Sequence, residues 1–146
     1  MVAGYASLMP RIVVTFGTYD LFHVGHLNLL RRAAALGDQL IVGVSSDELN
    51  YSKKQKHATF SVQERVEIIG ALRCVDHVFI EYSLEQKREY LNKYGADVLV
   101  MGDDWAGKFN HFSDMCEVIY LQRTPEVSTT SIVKSITTQA PSASHT

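Results

Sequence analysis

Short apolar runs alternate along the chain with segments whose apolar residues recur every three or four positions. Each run is rich in β-branched residues and is bounded by turn-forming or charged residues, which predicts a buried β-strand. The five predicted strands are RIVVTF (11–16), QLIVGVS (39–45), HVFIE (77–81), DVLVM (97–101) and EVIYL (117–121).

Four segments between and after these runs have helical periodicity. Two of them are preceded by the capping-box spacing, Ser61 with Glu64 and Ser83 with Gln86, and Ser128 can cap the last. The predicted helices cover residues 24–36, 62–73, 84–95 and 129–136.

Strands that alternate with helices predict an α/β fold. Right-handed crossovers give an open parallel five-stranded sheet with helices on both faces, here in a single Rossmann-like domain. The 146 residues suffice for one core, so we expect one domain over 11–137, an N-terminal extension over 1–10 and a disordered tail over 138–146. The polar segment 46–60 has neither the apolar run of a strand nor the periodicity of a helix, and it is predicted to be a loop.

The composition excludes several classes of protein. A net charge of -2 leaves no excess of basic residues for binding nucleic acid. Cys74 and Cys116 lack a zinc-site spacing, so we interpret both as reduced thiols. No apolar run is long enough to span a bilayer, and the first residues do not have the pattern of a signal peptide. We therefore expect a cytoplasmic protein that binds neither nucleic acid nor membranes.

The polar, glycine-containing segments follow the carboxyl ends of the predicted strands. In open parallel sheets, ligands bind beyond these ends, at the point where the strand order reverses. The segments are GTYDLFHVGH (17–26), SKKQK (52–56), GDDWAGKF (102–109) and QRTPEVSTT (122–130). The predicted fold and the polar residues thus indicate the same edge of the sheet.

The HVGH segment places two imidazoles in the first turn of a predicted helix. Gly25, between His23 and His26, allows a ligand to approach the backbone closely. A helix N-terminus offers free N–H groups and a partial positive charge, so the imidazoles would complete an anion site, for which a phosphate is the natural ligand. Neither GxGxxG nor GxxxxGK[ST] follows the first strand, which disfavours a dehydrogenase or a P-loop kinase.

Two other interpretations of this segment stay open. His23 and His26 with Asp20 could hold a transition metal, although the spacing is not the HExxH of zinc hydrolases. The two histidines could also be capping or surface residues with no ligand.

The basic and acidic segments at the same edge also have two interpretations each. Lys53, Lys54 and Lys56 form either a solvated loop or a lid that brings ammonium groups to a polyphosphate. Asp103 and Asp104 form either a turn or a site that binds magnesium or accepts a hydrogen bond from a base or hydroxyl.

The last segment places Arg123 shortly before three hydroxyl residues, Ser128, Thr129 and Thr130. Ser128 alone suffices as a helix cap, so three hydroxyls favour a second phosphate-binding turn. The single tryptophan, Trp105, is either a packing residue or a stacking surface.

Four segments in chain order, GTYDLFHVGH, LRCVDHV, MGDDWAGKF and RTPEVSTT, resemble the glycerol-3-phosphate cytidylyltransferase family. The likeness runs from about Arg11 to Ile136 and includes the HxGH motif of a larger nucleotidyltransferase group. HxGH identifies only that larger group, whereas MGDDWAGKF together with RT…STT is similar to its glycerol-phosphate branch.

The resemblance implies that CTP and sn-glycerol 3-phosphate give CDP-glycerol and pyrophosphate, with Mg²⁺ accompanying CTP and no metal held by the protein alone. It also implies a homodimer, and a product used for glycerol-phosphate polymers of cell envelopes. An adenylyltransferase of the same larger group, acting on another phosphorylated acceptor, and a non-catalytic nucleotide-binding regulator are the alternatives.

The resemblance also implies roles for individual residues. The catalytic residues are His23, His26, Lys56 and Arg123. The nucleotide-binding residues are Thr18, Tyr19, His23, His26, Lys56, Arg73, Arg123, Ser128, Thr129 and Thr130. Lys54 and Lys87 are expected to bind the acceptor phosphate, and Asp20 and Asp104 are candidates for a metal or polar role.

Overall fold

Five parallel strands form one sheet in the computed structural model, which describes residues 9–124 and 128–143. The strands are β1 (Ile12–Gly17), β2 (Gln39–Ser45), β3 (His77–Glu81), β4 (Val98–Gly102) and β5 (Glu117–Leu121). Their spatial order is β3-β2-β1-β4-β5. The predicted α/β fold with an open parallel five-stranded sheet is confirmed.

In the described residues, five α-helices connect and follow the strands. They are α1 (Val24–Ala34), α2 (Asp47–Lys54), α3 (Val62–Gly70), α4 (Lys87–Lys93) and α5 (Thr129–Ala143). Two short 3₁₀ helices, Asp103–Trp105 and Asn110–Asp114, lie between β4 and β5. No helix in the described part of the chain has the length and apolar character needed to cross a membrane.

The prediction of a loop over 46–60 is wrong, because its first half is helix α2. The Ser46 hydroxyl accepts a hydrogen bond from Leu49 N–H at 3.1 Å, and Asp47 lies in the first turn, where it complements the helix dipole. The helix ends at Gln55, which has a φ of 58°. Only Leu49 and Asn50 of α2 are buried, so the sequence carries almost no helical periodicity.

Two other predicted helix boundaries differ from the structure. Ser83 accepts a hydrogen bond from Glu85 N–H, which forms a local turn instead of a capping box, and α4 therefore starts later than predicted. Helix α5 continues to Ala143, so residues 138–143 of the predicted disordered tail are helical. The predicted extension is outside the described residues up to residue 8, as are residues 125–127 and 144–146.

The sheet is buried on both faces, as expected for parallel strands. On one face, α1 and α3 cover a cluster that includes Val13, Leu30 and Ile69. On the other face, α4 and the 3₁₀ helices cover a cluster that includes Phe16 and Leu91. This packing leaves the carboxyl ends of the strands for a ligand site. The region there between the start of α1, the end of α2 and the segment after β4 is called the cleft below.

The strand order reverses at β1. The chain leaves β1 between β2 on one side and β4 on the other, so the connections after these strands separate at the end of β1. A doubly wound sheet binds its ligand at such a point. The HVGH segment lies there, at the start of α1.

Candidate active site

Two stacked imidazoles occupy the N-terminus of α1. His23 is the N-cap residue, and its Nδ1 accepts a hydrogen bond from Gly25 N–H at 3.0 Å. His26 Nδ1 accepts from His23 N–H at 3.2 Å, which completes a capping box made of imidazoles. The two ring centroids are 3.8 Å apart. Both histidines therefore cap α1, and the cap leaves the other nitrogen of each ring unused.

The backbone hydrogen bonds determine the proton position on both rings. Because a backbone N–H donates to each Nδ1, the proton of each neutral ring is on Nε2. Burial is the main cause that lowers the pKa of His26, to about 4, and the charges of His23, Lys54 and Arg123 act in the same direction. Burial and Arg123 also lower the pKa of His23. At neutral pH the pair therefore offers two neutral Nε2–H donors.

The loop before α1 has unusual backbone geometry. Tyr19 has a φ of 55° and Leu21 a φ of 49°, in the left-handed region that non-glycine residues rarely adopt. Such conformations persist where the surrounding structure holds them, commonly at functional sites. Here the loop turns the chain from the end of β1 into the capped start of α1.

The Tyr19 side chain does not line the cleft, contrary to the predicted nucleotide contact. It is 5% exposed, packs in the core beside Gly17 and His26, and burial raises the pKa of its phenol above its ordinary range. Its hydroxyl is enclosed and has no hydrogen-bond partner in the described residues. In this conformation the Tyr19 side chain is therefore not available to a nucleotide.

Asp20 connects three parts of the site. Its carboxylate accepts hydrogen bonds from the N–H groups of Thr59 and Phe60, at 2.7 and 2.9 Å. Its carbonyl oxygen accepts from the Thr129 hydroxyl at 2.8 Å. Since both carboxylate oxygens bind backbone, Asp20 positions the segment before α3 and the start of α5.

A buried guanidinium that sequence analysis missed, that of Arg65, supports the loops of the site. Arg65 is 0% exposed. Its nitrogens donate to the carbonyl oxygens of Phe60, Thr18 and Ser45 and to a carboxylate oxygen of Asp47, at 2.8 to 3.0 Å. The segments after β1 and β2 and the segment before α3 are therefore held together by one side chain.

The sequence contains a signal for this arginine. Val62, Arg65 and Ile69 are the buried residues of α3, with the spacing of a helix face that contacts the core. An arginine at such a position must find partners inside the protein.

Thr18 lies beside α2. Its hydroxyl donates to Asn50 Oδ1 at 2.9 Å, and Asn50 is 2% exposed. The residue is at the carboxyl end of β1, where its backbone is held by Arg65. Thr18 is thus one of the predicted nucleotide-binding residues that the structure brings to the site.

Lys54 and Lys56 are exposed at the end of α2, on the β2 side of the cleft. Lys54 is close enough to His26 to lower the pKa of that ring. Partial burial of the side chain lowers the pKa of Lys54 itself, with Lys56 acting in the same direction and Asp20 and Asp104 opposing them. The structure therefore brings Lys54 to the histidine pair, with Lys56 near Lys54.

Lys87 does not extend into the cleft. It is 2% exposed, its ammonium donates to Glu81 Oε2 at 2.6 Å, and it lies 3.5 Å from the centroid of the Phe16 ring. Burial lowers its pKa, which Glu81 opposes. The prediction that Lys87 binds the acceptor phosphate directly does not fit this buried pair.

The segment after β4 lies across the cleft from α2. Asp103, Asp104 and Trp105 form a 3₁₀ helix, and the Asp104 carboxylate lies near Lys54. Trp105 packs against Phe109, with ring centroids 5.4 Å apart, which favours its interpretation as a packing residue.

The segment after β5 contributes a cation and a helix start. Arg123 is exposed and lies near both imidazoles, since its charge lowers the pKa of each. Ser128 Oγ accepts from Ser131 N–H at 3.0 Å, so Ser128 caps α5. The Thr129 hydroxyl donates to the Asp20 carbonyl oxygen in the loop before α1, and Thr130 is exposed.

Arg73, like the side chains of Tyr19 and Lys87, is a predicted site residue that the structure places away from the cleft. It follows α3, next to Asp76, whose N–H donates to the carbonyl oxygen of Leu40 at the amino end of β2. The seven residues of β2 put this end about 20 Å from the carboxyl end. Arg73 is therefore at the opposite edge of the sheet from His23 and His26.

The described residues contain no group of three or more histidine, cysteine, aspartate or glutamate side chains that could hold a metal ion. The Nδ1 atoms of His23 and His26 already accept backbone hydrogen bonds, and so does the Asp20 carboxylate. These hydrogen bonds disfavour the interpretation of HVGH as a transition-metal site with Asp20.

Comparisons with known proteins agree with this geometry. The model of the cytidylyltransferase-like family matches residues 14–135. Glycerol-3-phosphate cytidylyltransferase from Bacillus subtilis (strain 168) is 49% identical over 124 residues, which cover 85% of this chain and 95% of the relative. The enzyme of the same name from Staphylococcus aureus (strain NCTC 8325 / PS 47) is 48% identical, over 82% of this chain and 90% of the relative.

More distant proteins share the architecture. FAD synthase from Pyrococcus abyssi (strain GE5 / Orsay) is 34% identical, over 86% of this chain and 91% of the relative. The crystal structure of a lipopolysaccharide core biosynthesis protein from Thermoplasma volcanium GSS1 superposes with a TM-score of 0.68, over 79% of this chain and 98% of that chain. At 20% identity, this last likeness shows the fold alone.

The lowered pKa of His26 predicts a pH dependence of stability. Below its ordinary pKa of about 6.5, an unfolded histidine binds a proton that folded His26 does not bind until about pH 4. The contribution of His26 to stability is therefore complete above about pH 6.5 and is lost as the pH falls toward 4. We expect an NMR titration midpoint of about 4 for this ring.

We also expect the free energy of unfolding, measured with urea, to fall less between these pH values in His26→Ala than in the wild type. His57→Ala, which removes an exposed imidazole, is the control. A His26 midpoint near 6.5 would contradict the burial argument.

Proposed function

The chain belongs to the cytidylyltransferase-like family, and from this we propose that it transfers a cytidylyl group from CTP to sn-glycerol 3-phosphate, giving CDP-glycerol and pyrophosphate. The substrates are those that the names of its relatives imply. We further propose that the product supplies the synthesis of glycerol-phosphate polymers of the cell envelope. The homodimer stays a prediction.

The observation that carries this proposal is the pair of neutral Nε2–H donors at the N-terminus of α1. His23 and His26 are held by backbone hydrogen bonds before any ligand arrives. The partial positive charge of the helix N-terminus adds to their attraction for phosphate oxygens. Donors that are already oriented need no reorganisation when charge develops in a transition state.

We propose an in-line displacement at the α-phosphorus of CTP. An oxygen of the acceptor phosphate forms a bond to this phosphorus, and the bond to the oxygen that bridges to the β-phosphorus breaks. The bonding electron pair leaves with pyrophosphate. The attacking oxygen is already anionic, so no side chain has to act as a base, and catalysis is positioning and charge stabilisation.

Each side of the cleft would contribute to this step. His23 and His26 donate to oxygens near the α- and β-phosphates. Arg123, which lies near both imidazoles, and Lys56 stabilise the pyrophosphate that leaves. Of the three hydroxyls after Arg123, Ser128 caps α5 and Thr129 holds the Asp20 carbonyl, so their bonds would have to change for either hydroxyl to bind phosphate.

We propose that Mg²⁺ enters with CTP as the counter-ion of the triphosphate. The carboxylates at the cleft fit this better than a resident metal, because Asp20 is bound to backbone N–H groups and Asp104 lies near Lys54. When bound, Mg²⁺ reduces the negative charge that the acceptor phosphate must approach.

The proposed activity is tested by measuring pyrophosphate release with each of the four nucleoside triphosphates and a panel of phosphorylated acceptors. We expect turnover with CTP and glycerol 3-phosphate, since 49% identity links the chain to an enzyme of that name. Turnover with ATP and a flavin or sugar phosphate would instead identify an adenylyltransferase. Nucleotide binding without pyrophosphate release would identify a regulator.

The role of the imidazole donors predicts the effect of His26→Ala. Loss of one oriented donor typically lowers kcat by about 100-fold or more. We expect at least that loss, with the circular dichroism spectrum of the wild type retained, and no comparable loss in His57→Ala. Normal kcat in the folded His26→Ala variant would remove this histidine from the mechanism.

The position of Lys54 predicts a selective effect on the acceptor. Lys54→Ala removes an exposed ammonium beside His26, so repulsion between the acceptor phosphate and CTP is less well offset. We expect the KM for glycerol 3-phosphate to rise more than the KM for CTP. Lys93→Ala, an exposed lysine at the end of α4, is the control. Equal changes in both KM values would contradict the assignment.

A further inference from the structure

An open cavity lies on the flank of α1, beside the segment that follows β5. Its volume is about 460 Å³, which is within the range of small-molecule sites. Three arginines and three neutral polar residues line it: Arg31, Arg32 and Arg123, with Asn28, Gln122 and Thr124. The cavity therefore has two walls, one on α1 and one on residues 122–124.

Two hydrogen bonds join these walls. The Arg32 guanidinium donates from Nη1 to the carbonyl oxygen of Gln122 at 2.7 Å. Asn28 Nδ2 donates to Thr124 Oγ1 at 3.2 Å. Arginines in the last turn of a helix commonly complement the helix dipole, but that role requires no contact with another segment. The cavity is therefore part of the folded structure and is present before a ligand arrives.

The cavity has positive charge that no carboxylate of its walls balances. Neither α1 nor residues 122–124 contain an acidic residue. Within residues 9–124 and 128–143, the guanidinium groups of Arg31 and Arg123 have no hydrogen bond or ion pair. A guanidinium can donate two parallel hydrogen bonds to the oxygens of a phosphate, so these groups are suited to bind one.

The lining favours a compact anion with several negative charges. None of the six lining residues is aromatic or has a large apolar side chain, so the cavity offers no surface for a nucleobase or an acyl chain. A single phosphate monoester has about two negative charges at neutral pH, fewer than the positive charges of the three arginines. Linked phosphates have more charge and more oxygens, and they can contact all three guanidinium groups.

The cavity is separate from the anion site at the N-terminus of α1. Since a helix rises about 1.5 Å per residue, Arg32 lies roughly 13 Å along the axis from the N-cap residue His23. Arg123 borders both sites, because it lines the cavity and its charge also lowers the pKa of His23 and His26. The two sites are therefore neighbours that share one arginine.

We propose that this cavity is a second anion site, which binds condensed phosphates through Arg31, Arg32 and Arg123. The inference goes beyond the proposed function, because Arg31 and Arg32 have no assigned role in binding CTP or the acceptor. Pyrophosphate, which the proposed reaction releases beside Arg123, is the smallest ligand of this class. Product that leaves the cleft past Arg123 would reach the cavity.

The test measures the binding of tripolyphosphate, pyrophosphate and orthophosphate by isothermal titration calorimetry, at constant ionic strength and without CTP. We expect tripolyphosphate to bind more tightly than orthophosphate. The double variant Arg31→Gln with Arg32→Gln is expected to weaken tripolyphosphate binding about tenfold or more, because charge-assisted hydrogen bonds are lost. Arg88→Gln, which removes an exposed arginine of α4 on the other face of the sheet, is the matched control and is expected to keep the wild-type affinity.

Two further variants make the result specific to the cavity. Arg31→Gln alone breaks no hydrogen bond of the described side chains, whereas loss of Arg32 also frees the Gln122 carbonyl oxygen. We expect the single variant to weaken tripolyphosphate binding about fivefold. His26→Ala removes a donor at the other end of α1 and is expected to leave the affinity of the cavity unchanged.

A third variant concerns the chain's own carboxylate. Glu126 follows Thr124 by two residues in the sequence and is outside the described residues. We expect Glu126→Gln to keep the wild-type affinity for tripolyphosphate. Binding that occurs only in Glu126→Gln would mean that this carboxylate fills the cavity, and would overturn the inference.

The calorimetric outcomes decide between the two anion sites. A loss of affinity in both arginine variants, with wild-type affinity in Arg88→Gln and His26→Ala, supports the inference. If His26→Ala weakens the same binding event, with or without an effect of the arginine variants, tripolyphosphate binds at the N-terminus of α1 and the inference is overturned. Equal affinities for orthophosphate and tripolyphosphate, an equal loss in Arg88→Gln, or no binding to the wild type also overturn it.

Turnover assays separate the inference from the proposed function. We expect the double arginine variant to keep the wild-type kcat/KM for CTP with glycerol 3-phosphate, and a large loss would make the cavity part of the CTP site and overturn the inference. If the wild type releases no pyrophosphate, the proposed function fails, whereas the calorimetric result still decides whether the second site exists.

Discussion

Backbone N–H donation to two imidazole nitrogens is the interaction on which the cleft depends. The hydrogen bonds that cap α1 also determine the tautomer of His23 and His26. The same contacts therefore start the helix and leave two Nε2–H donors at its N-terminus. An aspartate would cap the helix equally well and leave no donor behind. The same hydrogen bonds thus support both the structural and the functional interpretation of this motif.

The cleft is assembled from loops whose positions depend on the buried guanidinium of Arg65 and the half-buried Asp20. Arg65 connects the segments after β1 and β2 with the segment before α3, and Asp20 connects the first of these to α5. Buried guanidinium and carboxylate groups are stable only when their hydrogen bonds are satisfied. Each loop is therefore held in place because its neighbours are held.

Sequence analysis could predict the strands and their parallel order, because the pattern of apolar residues indicates them. It could also predict the position of HVGH, because ligands bind at the carboxyl ends of parallel strands. Helix α2 was missed because a rim helix buries too few residues to show a period. The resemblance supplied residue identities but no side-chain directions, so Tyr19 and Lys87 were expected in the cleft although both are buried. Arg73 was misplaced for a related reason, since α3 carries it to the far edge of the sheet.

The contacts of Arg65 have a consequence for variation in chain length. Ser45 and Phe60 are both fixed to one guanidinium, and their separation does not depend on the number of residues between them. Insertions or deletions near Gln55, where α2 ends, can therefore accumulate without displacing the anion-binding end of α1. The α2 side of the cleft can therefore change to suit other acceptors, in natural or engineered variants, while the start of α1 stays in place.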